Sequence, residues 1–143
     1  MAPVPPEGFE SHSRKSPLTD PWEPLYARQL SDRTVLGLHV RPAHTNSRGP
    51  LHGGLIAALA DNAMGPSCGV VLGRDGVAAN GLMTVSLGVD YVGKAAIGQW
   101  LSFETTYVRA GRTLCFAELE VAADREPVAR ARATFRVLAA KAA

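Results

Sequence analysis

Residues 51–73 read LHGGLIAALADNAMGPSCGVVLG. The stretch is rich in alanine, which predicts a helix from about Gly53 onward. At 100° per residue, Leu55, Leu59 and Ala63 share one side, with Ile56, Ala60 and Met64 beside them. The remaining side holds Gly54, Ala57, Ala58, Asp61 and Gly65. A helix that is apolar nearly all round belongs in a protein interior. Its third side is made of small residues, so another surface can approach closely, and Asp61 faces that surface. Pro66 predicts a kink or an end, because its ring clashes with the carbonyl of Asn62.

Downstream the period changes from helical to two. Met83, Val85, Leu87, Val89 and Tyr91 alternate with Thr84, Ser86, Gly88 and Asp90. Leu101, Phe103, Thr105 and Tyr107 form a second apolar row, and Cys115, Ala117, Leu119 and Val121 a third. Ala129, Ala131, Ala133, Phe135 and Val137 form the fourth. The connections at Ala110-Gly111 and between Ala123 and Pro127 have hairpin lengths, so the four strands predict an antiparallel meander. Upstream, TVLGLHVR (34–41) predicts one more strand, followed by a polar loop over 43–50. Residues 1–33 predict a proline-rich arm ahead of a domain over 34–143. Six of the ten prolines lie among the first 24 residues, which predicts no regular element there. Trp22, Leu25 and Tyr26 are positioned to pin the end of this arm.

The chain has 143 residues, 46% of them hydrophobic and 20% charged, which fits one globular domain. Fifteen Lys and Arg against thirteen Asp and Glu leave a net charge of +2, too small and too dispersed for a nucleic-acid binder. Cys68 and Cys115 are the only cysteines, read as packing residues, and they form neither a disulfide framework nor a zinc motif. No apolar run of membrane-spanning length and no signal-peptide core is evident, so a cytoplasmic protein without a membrane partner is expected.

The stretch with chemical content is Asn46-x5-His52-Gly53-Gly54-x6-Asp61. Two glycines opening a helix let a ligand oxygen reach backbone N–H groups that lack intrahelical partners. Such donors stabilise an oxyanion by roughly two to four kcal/mol each. Asp61 lies two turns further on, roughly 11 Å along the axis. That separation is too long for both groups to act on one carbonyl within one chain, and an antiparallel second copy would bring them together.

This order of Asn46, His52-Gly53-Gly54 and Asp61 on a buried helix, followed by an antiparallel meander, resembles the hotdog-fold thioesterases. The nearest branch is the phenylacetate-degradation (PaaI-like) type. The segments TVSLGVDYVGKAAIG and RARATFRV fit as well, and the resemblance covers roughly Val35 to Leu138. It implies an α+β hotdog fold, an antiparallel sheet wrapped around one central helix, in a homodimer or a tetramer built as a dimer of dimers. It implies hydrolysis of a medium-chain or aryl acyl-CoA without a cofactor or metal. Gly53 would polarise the thioester carbonyl, Asn46 and His52 would position it, and Asp61 of the facing subunit would act as nucleophile or general base. Thr84 matches the strand hydroxyl that relatives use to hold the attacking water. Gly65 stands where some relatives carry a hydroxyl, which leaves that role to Thr84, with Ser67 as the lesser choice.

Each position has a structural alternative. Asp61 would make a buried structural hydrogen bond, His52 would cap the helix, Asn46 would shape a turn, and Thr84 would be an ordinary strand residue. His39 and His44 read as packing and loop residues. Gly54 joins the substrate-binding set at the helix start, and Arg48, Lys94, Arg109 and Arg112 are the candidates for the CoA phosphates, since they lie in loops or at strand ends. Arg130, Arg132 and Arg136 share a strand face and suit cross-strand pairing with Glu118 and Glu120. The alternative functions are a non-catalytic acyl-binding protein of the same fold and, with less support, an acyl-CoA hydratase or dehydratase. The latter needs a base reaching the substrate α-carbon, and the helix carries an aspartate where a histidine would serve.

Overall fold

The computed structural model describes residues 3–139. One helix, α1 (Gly53–Arg74), lies against a single seven-stranded antiparallel sheet. In chain order the strands are β1 (Glu10–Ser11), β2 (Tyr26–Gln29), β3 (Thr34–His39), β4 (Ala79–Tyr91), β5 (Trp100–Ala110), β6 (Leu114–Ala123) and β7 (Glu126–Ala139). Across the sheet the order is β1-β2-β3-β5-β6-β7-β4, so β4 is an edge strand with β7 as its one neighbour.

The helix buries Leu55, Ile56, Leu59, Met64 and Leu72 against Leu38, Phe103, Leu119, Val121 and Phe135 of the sheet. Its third side, with Ala57, Ala58, Asp61 and Gly65, is half-buried. The helix therefore fills the concave face of the sheet and leaves its small-residue side open. By length and composition α1 is long and apolar enough to cross a membrane, contrary to the sequence expectation, but ten of its residues are buried in this core.

Pro66 does not end the helix, which continues for two further turns. A proline in a helix interior costs about 3 kcal/mol. Burial of Cys68, Val71 and Leu72 beyond it stabilises by roughly 1.5–3 kcal/mol per side chain, which outweighs that cost. Ser67 ties the same turn down: its hydroxyl donates to the Ala63 carbonyl at 2.8 Å, accepts from the Thr34 N–H at 3.1 Å and lies 2.9 Å from the Thr105 hydroxyl.

Two of the four register shifts in the sheet fall within the apolar rows and overturn their simple alternation. In β4, Thr84 pairs with Phe135 and Ser86 with Thr134, so Val85 is the extra residue. Thr84 therefore shares the helix-facing side with Leu87, Val89 and Tyr91, while Met83 points outward with Ser86, Gly88 and Asp90. In β5 the shift lies between Thr105 and Tyr107. Tyr107 is turned to the outer face and Val108 takes the inner one. The apolar rows of β6 and β7 keep the expected phase. Glu118 and Glu120 stand opposite Arg132 and Arg130 as the charge pattern predicts, although the ion pair within reach joins Arg132 to Asp90 at 3.6 Å.

The proline-rich segment is more ordered than its composition predicts. Glu10 and Ser11 pair with β2, and β2 pairs with β3, so both continue the main sheet. Leu25 is buried and Trp22 packs on the core. The anchor is His44, whose Nδ1 accepts from the Arg41 N–H at 3.0 Å while Nε2 sits 2.9 Å from the Trp22 carbonyl. Those partners select the tautomer with its proton on Nε2.

Burial lowers the pKa of His44, with Arg41 adding to the effect and the Trp22 bond opposing it. His12 is shifted the same way, again mainly by burial. A lowered folded pKa means that both contribute stability above the ordinary histidine value near 6.5 and lose it as pH falls below that value. Thermal melts are expected to show Tm falling below pH 6.5 by roughly 3 °C per pH unit per histidine. The acid slope should be shallower in His44→Gln.

Candidate functional site

The helix start and the middle of the helix each carry half of a reactive constellation. His52 is the N-cap of α1, and its Nδ1 accepts the Gly54 N–H at 2.8 Å. The imidazole folds back so tightly that a Cβ on Gly54 would sit 2.8 Å from its Cε1. The Gly54 amide is thereby consumed, which removes it as the oxyanion donor. The Gly53 N–H precedes the first helical hydrogen bond and finds no acceptor among the described residues. Its carbonyl accepts from the Tyr91 hydroxyl at 2.6 Å, which fastens the helix start to β4. Tyr91 was not singled out in the sequence, though its inward phase in β4 was legible.

Asn46 precedes this turn. Its side-chain oxygen accepts the Arg48 N–H at 2.8 Å and its main chain bonds Pro50 and Gly49. The residue does build the turn, yet its side-chain NH2 remains available to a ligand. Leu51 donates to the Ala95 carbonyl, which brings Lys94 close to the same loop as Arg48. Both are exposed beside the helix start. Arg109 and Arg112 lie at the opposite end of the sheet, where Ala110 pairs with Cys115 and Cys115 with Phe135.

At that other end stands Asp61, half-buried, whose Oδ1 accepts from the Thr84 hydroxyl at 2.7 Å. The β4 bulge creates this contact, because it turns Thr84 toward the helix. Ser67 is removed as an alternative hydroxyl, being fully buried and held by three partners. A cleft of about 900 Å³ opens beside Asp61 and Thr84 and follows Gly65, Gly69 and Gly73 along the helix. Its far wall is formed by the N-terminal segment, including His12 and Arg14, which the sequence offered no pattern to find. Among the described residues no group of three or more His, Cys, Asp or Glu converges on a point that would hold a metal. His39 packs edge-on against Trp100 at 4.8 Å between centroids, and His44 serves the anchor described above.

The arrangement offers an unengaged amide, an amide side chain and two cations at one end. At the other it offers a carboxylate oriented by a hydroxyl. Asp61 lies eight positions after Gly53, about 12 Å along the axis.

Residues 49–129 match the model of the thioesterase superfamily. A protein of Pseudomonas aeruginosa, provisionally named an esterase, is 33% identical over 92% of this chain and 96% of its own length. Mouse acyl-coenzyme A thioesterase 13 is 30% identical over 63% of this chain and 61% of its own length. Among solved structures, a variant of the phenylacetic acid degradation protein PaaI from Thermus thermophilus superposes with a TM-score of 0.73 at 23% identity. That superposition covers 86% of this chain and all of the other. The architecture is the hotdog fold expected from the sequence.

Gly54→Ala is expected to push His52 off the helix start and lower stability by about 1 kcal/mol, the usual cost of losing an N-cap. A fall in Tm of roughly 2–4 °C would register it. An unchanged Tm would show that the imidazole relocates without loss.

Proposed function

The chain belongs to the thioesterase superfamily, and on that premise we propose that it hydrolyses an acyl-CoA thioester to the free acid and CoA at a site completed by a second copy of itself. The observation that carries this reading is the Asp61–Thr84 pair, 2.7 Å apart at the mouth of the cleft, with the free Gly53 amide a fixed distance away on the same helix. The similarity to an acyl-coenzyme A thioesterase supports CoA as the thiol.

The edge strand supplies the second copy's place. β4 has one edge of its backbone unpaired and exposes Met83, Val85, Leu87 and Tyr91, with Val92 exposed just beyond it. A long, apolar edge is a template for pairing with another strand. Antiparallel pairing of two β4 strands about an axis at Gly88 sets Asp90 of one copy opposite the partner's Ser86 and, across the Val85 bulge, Tyr91 opposite the partner's Thr84. Tyr91 carries the Gly53 end and Thr84 the Asp61 end, so each interface would hold two complete sites. The same rotation moves the partner's hairpin, with its two arginines, toward Arg48 and Lys94. Those cations are the candidates for the CoA phosphates.

In this site the thioester carbonyl oxygen accepts from the Gly53 N–H, and the Asn46 side chain steadies the group. Thr84 holds one oxygen of Asp61, which leaves the other to take a proton from water. The water oxygen bonds to the carbonyl carbon, and the oxyanion rests on the Gly53 amide. On collapse the C–S bond breaks and the sulfur takes the proton from Asp61, releasing CoA and the acid. His52 acts by fixing the turn, with its Nε2–H left toward the substrate side.

Thiol release in a coupled assay with straight-chain and aryl acyl-CoAs tests the activity. Asp61→Asn is expected to lower kcat by at least about a hundredfold with the fold intact, as loss of a general base does. Near wild-type turnover would make Asp61 structural. Thr84→Val removes the hydroxyl while keeping the shape and should depress kcat more than it raises KM.

Charged substitutions on the edge, Val85→Lys with Leu87→Glu, are expected to yield an inactive monomer in sedimentation. An active monomer would sink the shared site.

A further inference from the structure

Past Pro66 the cleft runs under the N-terminal segment, where His12, Arg14, Lys15, Ser16 and Thr19 form its wall. Three of the four histidines have ring partners: His39 the Val4 carbonyl, His44 Arg41 and Trp22, and His52 Gly54. His12 is the exception. Its residue is 6% exposed and its backbone N–H is bonded to the Leu25 carbonyl, yet its imidazole has no hydrogen-bond partner among the described residues. Its ring nitrogens are not sealed from solvent, so their unmet hydrogen bonds open onto the cleft that the ring lines, where a ligand displacing water has to replace them.

The carboxylate that acts on His12 is Glu23, which opposes the lowering of its pKa by burial but lies outside the lining of the cleft. Lys15 is paired with Glu23 at 3.0 Å. Arg14 is exposed and makes no ion pair among the described residues. Asp61 is the sole carboxylate lining the cleft, and it stands at the other end. Glu10 borders a smaller recess behind His12 and not the cleft itself. Pro66 adjoins both spaces and lies five residues past Asp61, about 7–8 Å along the axis. A group bound there is at the remote end of an acyl chain of medium length whose thioester sits at Asp61.

We propose that this wall reads a carboxylate at the distal end of the acyl group, so that the preferred substrates are medium-length ω-carboxyacyl thioesters, with the His12 N–H and the Arg14 guanidinium as the recognising groups. The proposal rests on the thioester-hydrolase reading above. A plain alkyl end would leave His12 unsatisfied and would bring apolar surface to a cation. A carboxylate satisfies the ring and meets the free guanidinium in a charge-assisted hydrogen bond.

The test compares three six-carbon thioesters on the full chain: adipyl-CoA, hexanoyl-CoA and 6-hydroxyhexanoyl-CoA. Adipyl-CoA is expected to have a kcat/KM about tenfold or more above hexanoyl-CoA, in keeping with the usual worth of a charge-assisted bond. Arg14→Met, at an exposed position, should shrink that ratio at least about fivefold, chiefly through the KM for adipyl-CoA. His12→Phe should act in the same direction. Equal rates for adipyl- and hexanoyl-CoA, or a ratio untouched by Arg14→Met, would overturn the proposal. Parity of 6-hydroxyhexanoyl-CoA with adipyl-CoA would overturn the carboxylate. Should no thioester be hydrolysed, the hydrolase reading fails by itself, and calorimetric binding of the same three compounds decides this one. Tighter binding of adipyl-CoA by about tenfold would sustain it, and equal affinities would overturn it.

Discussion

An α-helix is a rigid ruler, and this one sets Gly53 and Asp61 about 12 Å apart along its axis. Neither group can approach the other while α1 stays intact, and ten buried residues keep it intact. Both ends are also fastened to the same edge strand, Gly53 through Tyr91 and Asp61 through Thr84. The distance between the two halves of the constellation is thus set by backbone geometry and locked by side-chain bonds to β4. A reaction that uses both must draw them from different copies. The strand that locks them is the one whose outer edge has no partner within the chain.

Much of the architecture is legible because its periodicities are clean. The apolar rows from Cys115 to Val121 in β6 and from Ala129 to Val137 in β7 alternate without interruption and face the helix. The helix itself follows from alanine content and from the angular distribution of Leu55, Ile56, Leu59 and Met64. What periodicity does not carry is a change of phase. The bulges at Val85 and Thr106 insert one residue each, and their positions are set by the register of the neighbouring strand rather than by any pattern in β4 or β5. That is why Tyr107 reads as an inner residue and is an outer one. Thr84, by contrast, reads as sharing a face with Ser86 and in fact faces Asp61.

The N-terminal segment and Pro66 depart from their local sequence for a related reason. Proline restrains local backbone, and local backbone is what composition reports. The energetics that decide both places are tertiary. The His44 ring bridges Arg41 and Trp22 across more than twenty residues of sequence, and Ser67 joins the helix to Thr34 over thirty-three. The Asn46 and His52 positions were legible as a motif, but their division of labour was not. The fold of the turn decides it: His52 consumes the Gly54 amide and leaves the Gly53 amide free.

The glycines at 65, 69 and 73 follow a four-residue spacing along the cleft. Each costs a helix about 1 kcal/mol relative to alanine, so together they cost α1 about 3 kcal/mol. Close packing within the chain does not account for them. A Cβ on Gly69 or Gly73 would meet nothing within 4 Å, and one on Gly65 would make ordinary contact with Phe135 at 3.6 Å. Alanine would therefore fit at all three positions and would favour the helix. What it would also do is narrow the cleft, from the carboxylate at one end toward the basic wall at the other. Packing within one chain therefore does not explain the three glycines, and their effect on the structure is to keep the cleft wide along its length.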